Sequence, residues 1–171
     1  MRRKRRFTVE TIAQCGLLTA VMLVLGFIEN LIPVAAGVPG IKLGLSNGVL
    51  LFALYMMDAP TAFVLMVLKV LLSGLLFGGV SAMMYALAGG LLSMIGMILL
   101  KKLKFNILTV SMTGAVLHNA GQVLLAMVIL ETSRLLYYMA ILLFVGLACG
   151  AVTGIAARAT INHMKKISRK G

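Results

Sequence analysis

The sequence predicts an all-α polytopic membrane protein, with six transmembrane helices in one bundle and both termini cytoplasmic. Hydrophobic residues make up 61% of the 171 positions and charged residues only 12%. A soluble domain of this length could not bury so much apolar surface. The basic residues also cluster where apolar runs end: at positions 2–6, at Lys101, Lys102 and Lys104, and at Lys165, Lys166, Arg169 and Lys170. Six spans place all three clusters on one side, as cytoplasmic loops require. The net charge of +12 is then a topology signal with a weak attraction to anionic membrane lipid. No nucleic-acid partner is expected.

Taken in order, residues 1–10 form a basic cytoplasmic tail, 11–160 the membrane domain and 161–171 a second basic tail. The first span runs from about Thr11 to Ile32 and stops at Pro33. Its basic start and the Val34-Ala35-Ala36 triplet imitate a signal peptide. The apolar run is too long for a signal core, and Glu29 and Asn30 interrupt its end, so it is read as a span. Ala13, Gly16 and Ala20 give this helix one face of small residues. Residues 33–41 form an outside loop rich in Pro and Gly. A short second helix covers about Lys42 to Met57, and Asp58-Ala59-Pro60 turns the chain inside. The third helix covers about Thr61 to Phe77, with an outside turn at Gly78-Gly79.

The fourth helix, about Ser81 to Leu100, carries Ala82, Ala86, Gly89, Ser93 and Gly96 on one small face. A basic inside loop leads to the fifth, about Ile107 to Leu130. Glu131 to Arg134 is an outside turn. The sixth, about Leu135 to Ala159, spaces Gly146, Gly150 and Gly154 by four, a doubled GxxxG that lets helix backbones touch. Cys15 and Cys149 both fall inside apolar runs and are expected to stay unpaired.

The polar residues within these spans point to a site. At about 1.5 Å per residue, Glu29 and Lys42 fall near the outer surface and Asn47 a little deeper. Lys69, Ser73, His118, Asn119 and Gln122 fall near mid-membrane, Lys69 the most inward. Lys69 and Ser73 share a face of the third helix; His118 and Gln122 share one of the fifth, with Asn119 beside them. Polar groups at this depth usually face the bundle interior or a water-filled cavity. A plain structural reading stands beside this one. Glu29 and Lys42 could simply pair, and the fifth-helix residues could simply hydrogen-bond between helices. Lys69 fits that reading least, being several residues from either end of its helix. A cavity with this lining, under the positive end of the second helix, favours an anionic or strongly polar small molecule entering from outside.

Other chemistry is excluded. There is no GxxxxGK[ST] phosphate loop. Asp58 is the only aspartate, so no aspartate cluster can hold a magnesium-diphosphate. No nucleophile–base pair and no Cys/His metal spacing stand out. Catalysis by this chain alone, a cofactor and a metal are not expected.

Four segments resemble a bacterial membrane family: Glu29-Asn30-Leu31-Ile32-Pro33, Pro39-Gly40-Ile41-Lys42-Leu43-Gly44-Leu45-Ser46-Asn47, Leu87-Ala88-Gly89-Gly90-Leu91-Leu92-Ser93, and His118-Asn119-Ala120-Gly121-Gln122. The family is heptaprenyl diphosphate synthase component I, also called the Gx transporter family. The resemblance covers nearly the whole chain. It implies alanine where this chain has Ser46 and arginine where it has Lys69. A lysine keeps the charge but cannot make a bidentate clamp. The synthase label implies a prenyl synthase catalytic subunit as partner. The transporter label implies likeness to the substrate-binding S components of energy-coupling factor transporters, which bind a vitamin-like solute. Those proteins dock through small first-helix residues, here Ala13, Gly16 and Ala20, onto a transmembrane coupling subunit and two ATPases. Six spans, an outside-facing polar cavity and no ATP site in this chain favour the transporter function. The lack of an aspartate-rich motif counts against the chain being the synthase itself and leaves an accessory role open.

Overall fold

The computed structural model describes residues 8–31 and 44–167, which are helical apart from short corners and include no strand. The helices are α1 (Val9–Leu31), α2 (Leu45–Met56), α3 (Ala59–Ser73), α4 (Gly79–Lys102), α5 (Ile107–Ile129) and α6 (Leu135–Ile167), with a π-helical turn, Gly74–Gly78, between α3 and α4. The basic cluster at 2–6, the loop at 33–41, Lys42, Arg169 and Lys170 lie outside the described residues.

The corners follow from local chemistry. Asp58 caps α3, its Oδ1 accepting from the N–H of Thr61 at 2.8 Å, with Pro60 in the first turn where its missing N–H costs nothing. Asn106 caps α5 in the same way, accepting from Thr109 at 2.7 Å. Between α3 and α4 the expected Gly78-Gly79 turn is present. Gly79 has φ 71° and ψ 178°, open to glycine and strained for other residues. There the chain doubles back. A Cβ on Gly90 would lie 2.7 Å from the Met66 sulfur, and one on Gly74 2.6 Å from the Met83 Cβ. Those pairings make α3 and α4 antiparallel.

Three boundaries differ from expectation by more than two residues. The second helix begins at Leu45 rather than Lys42, because Gly44 is left-handed at φ 74° and breaks the helical path. The third helix ends at Ser73 rather than Phe77, since the chain widens into the π turn before reversing. The sixth helix runs on to Ile167 instead of stopping near Ala159, so the start of the C-terminal basic tail is helical. Its Lys165 and Lys166 sit in the last turn, where cations complement the helix dipole.

Four stretches are long and apolar enough to cross a membrane: Val9–Glu29, the folded-back Ala59–Lys102, Ile107–Ile129 and Leu135–Ile167. The α2 helix has 12 residues, a rise of about 18 Å against a hydrocarbon thickness of about 30 Å. Large apolar side chains such as Leu17, Val24, Ile95 and Phe144 point outward, as they do in a helical membrane protein surrounded by lipid. The buried core joins Met22 of α1 to Leu51 and Leu54 of α2, Leu65 and Met66 of α3 and Met94 of α4.

The small-residue faces decide the packing. On α6, a Cβ on Gly150 would lie 2.7 Å from the Met112 Cα, and one on Gly154 2.8 Å from the Ser111 Cβ. The doubled GxxxG therefore holds α6 against α5 at backbone contact. Gly89 and Gly121 do the same between α4 and α5. Both cysteines are free.

One end of the bundle collects charge. Asp58 acts electrostatically on Cys15 and Lys101, and Lys165 acts on Lys101. The start of α1 and the end of α6 thus share that end. There the Lys101 ammonium donates to the Leu54 carbonyl at the end of α2 and lies 5.1 Å from the Tyr55 ring centre. Lys101 was expected to be a topology signal alone; it also ties α4 to α2.

Candidate functional site

The site forms at the other end and middle of the bundle. All six helices contribute to one cavity of about 130 Å³. Its wall includes Glu29 from α1, Asn47 from α2, Lys69 from α3, Ser93 from α4, His118, Asn119 and Gln122 from α5, and Thr153 from α6.

Each polar side chain is held by the way its helix packs. Lys69 lies eleven residues into α3, and its Nζ donates to the Asn47 Oδ1 at 3.1 Å. His118 and Gln122, one turn apart, have their Nε2 atoms 3.3 Å apart. Gly89 makes room for both. A Cβ there would come within 2.9 Å of the Gln122 Cγ and 3.1 Å of the His118 Nδ1. The Asn119 Nδ2 donates to the Leu142 carbonyl at 2.8 Å, which is the interhelical bond of the plain structural reading. Gly146 admits that amide, since a Cβ there would meet the Asn119 Nδ2 at 2.9 Å.

Glu29 takes a position that its sequence context did not suggest. It is only 6% exposed, and its Oε1 accepts from the N–H of Leu45 at 2.7 Å. The first turn of a helix leaves its N–H groups without partners inside the helix. A carboxylate there meets both those donors and the positive end of the dipole. The Glu29 carboxylate thus takes up one of the helix-end donors itself. The described wall then holds a carboxylate beside the start of α2 and the Lys69 ammonium.

Of the residues expected at a site, Glu29, Asn47, Lys69, His118, Asn119 and Gln122 are brought to this cavity. Ser73 faces a neighbouring cavity, which shares Gln122 with the first. Lys42 lies outside the described residues. Ala13, Gly16 and Ala20 are all exposed on α1, and a Cβ on Gly16 would meet nothing within 4 Å.

Four lining hydroxyls are not among the individual residues expected at a site. Ser93 belongs to the small face of α4. Ser111 and Thr153 meet across the α5–α6 contact with their oxygens 3.3 Å apart. The only signal for them was the GxxxG beside Thr153. Ser46 is buried and lines the cavity, so it adds a hydroxyl where the resemblance implies alanine.

The cavity has room for about four waters at ~30 Å³ each. Pockets for whole small-molecule ligands run to about 300–1,000 Å³. Among the described residues, no three His, Cys, Asp or Glu side chains gather to hold a metal ion.

Fold and cavity together define an all-helical membrane protein with hydrogen-bonding side chains gathered inside it. Residues 18–160 match the family model for heptaprenyl diphosphate synthase component I, and the chain belongs to that family. Comparison with curated proteins and with solved structures found no match.

Proposed function

We propose that this chain is the substrate-binding component of a small-molecule uptake system, similar to energy-coupling factor S components. It resides as a six-span, multi-pass protein in the bacterial plasma membrane, with both termini cytoplasmic. The span count pairs α3 and α4 as two crossings on either side of Gly79 and takes α2 as a short crossing. The clustering of Lys101 and Lys165 at one end supports a cytoplasmic assignment for that end. The ligand is a polar or anionic molecule that enters from the opposite side.

One observation carries this reading. Every helix directs at least one polar side chain to the same cavity, although a polar group within a membrane span is costly unless it has partners. Such convergence is what a binding site requires. Interhelical hydrogen bonding alone would spread the polar groups over several contacts. The exposed small face at Ala13, Gly16 and Ala20 supports docking of α1 onto a transmembrane coupling subunit that carries ATPases, because it is open to a partner helix.

The family match favours a second reading: a non-catalytic membrane component that associates with a prenyl synthase catalytic subunit in isoprenoid-quinone synthesis. Affinity purification from the native membrane separates the two. The first reading expects a coupling subunit and ATPases to co-purify and Gly16→Leu to remove them without loss of bound ligand. Recovery of a prenyl synthase with neither would establish the second.

A further inference from the structure

We propose that the ligand is amphiphilic, with an anionic head in the polar cavity and an apolar tail in a second cavity beside it. This rests on reading the polar cavity as the binding site. The second cavity measures about 750 Å³ and lies between α3, the π turn, α4, α5 and α6. Val70, Leu76, Phe77, Met83, Val123 and Leu142 give it an apolar wall.

The two cavities are neighbours by helical register. Gln122 lines both. On α3, Lys69 lines the first and Ser73, one turn further, the second. On α5, His118 lines the first and Ala126, two turns further, the second. Moving along either helix therefore leads from cationic and amide groups to hydrocarbon. Ala82 and Ala86, both small, line the second cavity from α4.

Size separates the roles. The polar cavity, at about 130 Å³, suits a head group and not a whole vitamin-like solute. A cavity of about 750 Å³ with apolar walls holds water poorly and hydrocarbon well. Phe27 of α1 and Phe77 of the π turn have ring centres 5.5 Å apart at the edge of that cavity. Both are nearly half exposed, so the edge faces the lipid from which a tail would enter. The Tyr138 hydroxyl, in the same wall, is buried with no hydrogen-bond partner. A buried orphan hydroxyl is uncommon in a complete structure.

The test uses the full chain in phosphatidylcholine nanodiscs, titrated calorimetrically with n-alkyl phosphates from methyl to octyl, after subtraction of empty nanodiscs. Affinity should rise by up to about fourfold per added methylene as the tail leaves water. Ala126→Phe, or Ala86→Phe if the first does not fold, should flatten that rise by filling the tail cavity. Lys69→Met should lower the whole series at least tenfold. Binding of methyl phosphate with no chain-length dependence overturns the amphiphilic ligand and leaves the polar site standing. A rise that persists in both cavity-filling variants places the tail elsewhere and overturns the proposal too. Failure of the whole series, methyl phosphate included, overturns the polar site as well.

Discussion

The carboxylate of Glu29 caps α2 from a different helix, accepting from the N–H of Leu45 at 2.7 Å. This contact joins the end of α1 to the start of α2 at the edge of the polar cavity. Removing it in Glu29→Ala should cost about 1–2 kcal/mol, as loss of a helix cap does. Glu29→Gln should cost less, since its amide oxygen can still accept. Thermal unfolding in detergent checks both. Equal losses in the two variants would mean that charge, not the hydrogen bond, sets the contribution.

Glycines on α1 and α6 should respond in opposite ways. At Gly150 a new Cβ would lie 2.7 Å from the backbone of Met112, while at Gly16 it would meet nothing within 4 Å. Gly150→Ala should destabilise by about 1–3 kcal/mol through overpacking. Gly16→Ala should be neutral or raise stability by up to about 1 kcal/mol, since alanine is the better helix former. Thermal unfolding of the two variants side by side gives the comparison.

Lys101 and Lys102 are neighbours with different expected effects. Lys101 donates to the Leu54 carbonyl and lies over Tyr55, whereas Lys102 is exposed. Lys101→Met should cost about 1–2 kcal/mol, because it leaves a buried acceptor without its donor. Lys102→Met should change stability by less than about 0.5 kcal/mol. Denaturation followed by circular dichroism would report both.

Much of this was legible in the sequence because membrane depth restricts where polar residues can go. Lys69, Asn47, His118, Asn119 and Gln122 could be grouped by depth and helical face before any coordinates, and they line one cavity. The Gly78-Gly79 turn and the α6 glycine face were legible because only small or left-handed positions allow those contacts. Glu29's role was not, since capping depends on where α2 begins, and that is set by the backbone of Gly44. Ser111 and Thr153 were hidden for another reason. Hydroxyls that bond to the preceding helical turn, as Thr153 does to the Cys149 carbonyl at 2.9 Å, are common in membrane helices and carry little depth signal. The second cavity is lined by the π turn and by separate alanines at 82, 86 and 126, and neither announces empty space in a sequence.

Native mass spectrometry of the protein released from its own membrane tests whether the Lys69 cavity holds the ligand. The wild-type chain should carry a bound small molecule, and Lys69→Met should bind it at least tenfold more weakly, a loss of ~1.4 kcal/mol or more, and so release it at ligand concentrations where the wild type holds it. Lys102→Met, with its exposed side chain, should retain it fully. The same mass at wild-type occupancy on Lys69→Met would contradict the assignment of this cavity as the binding site.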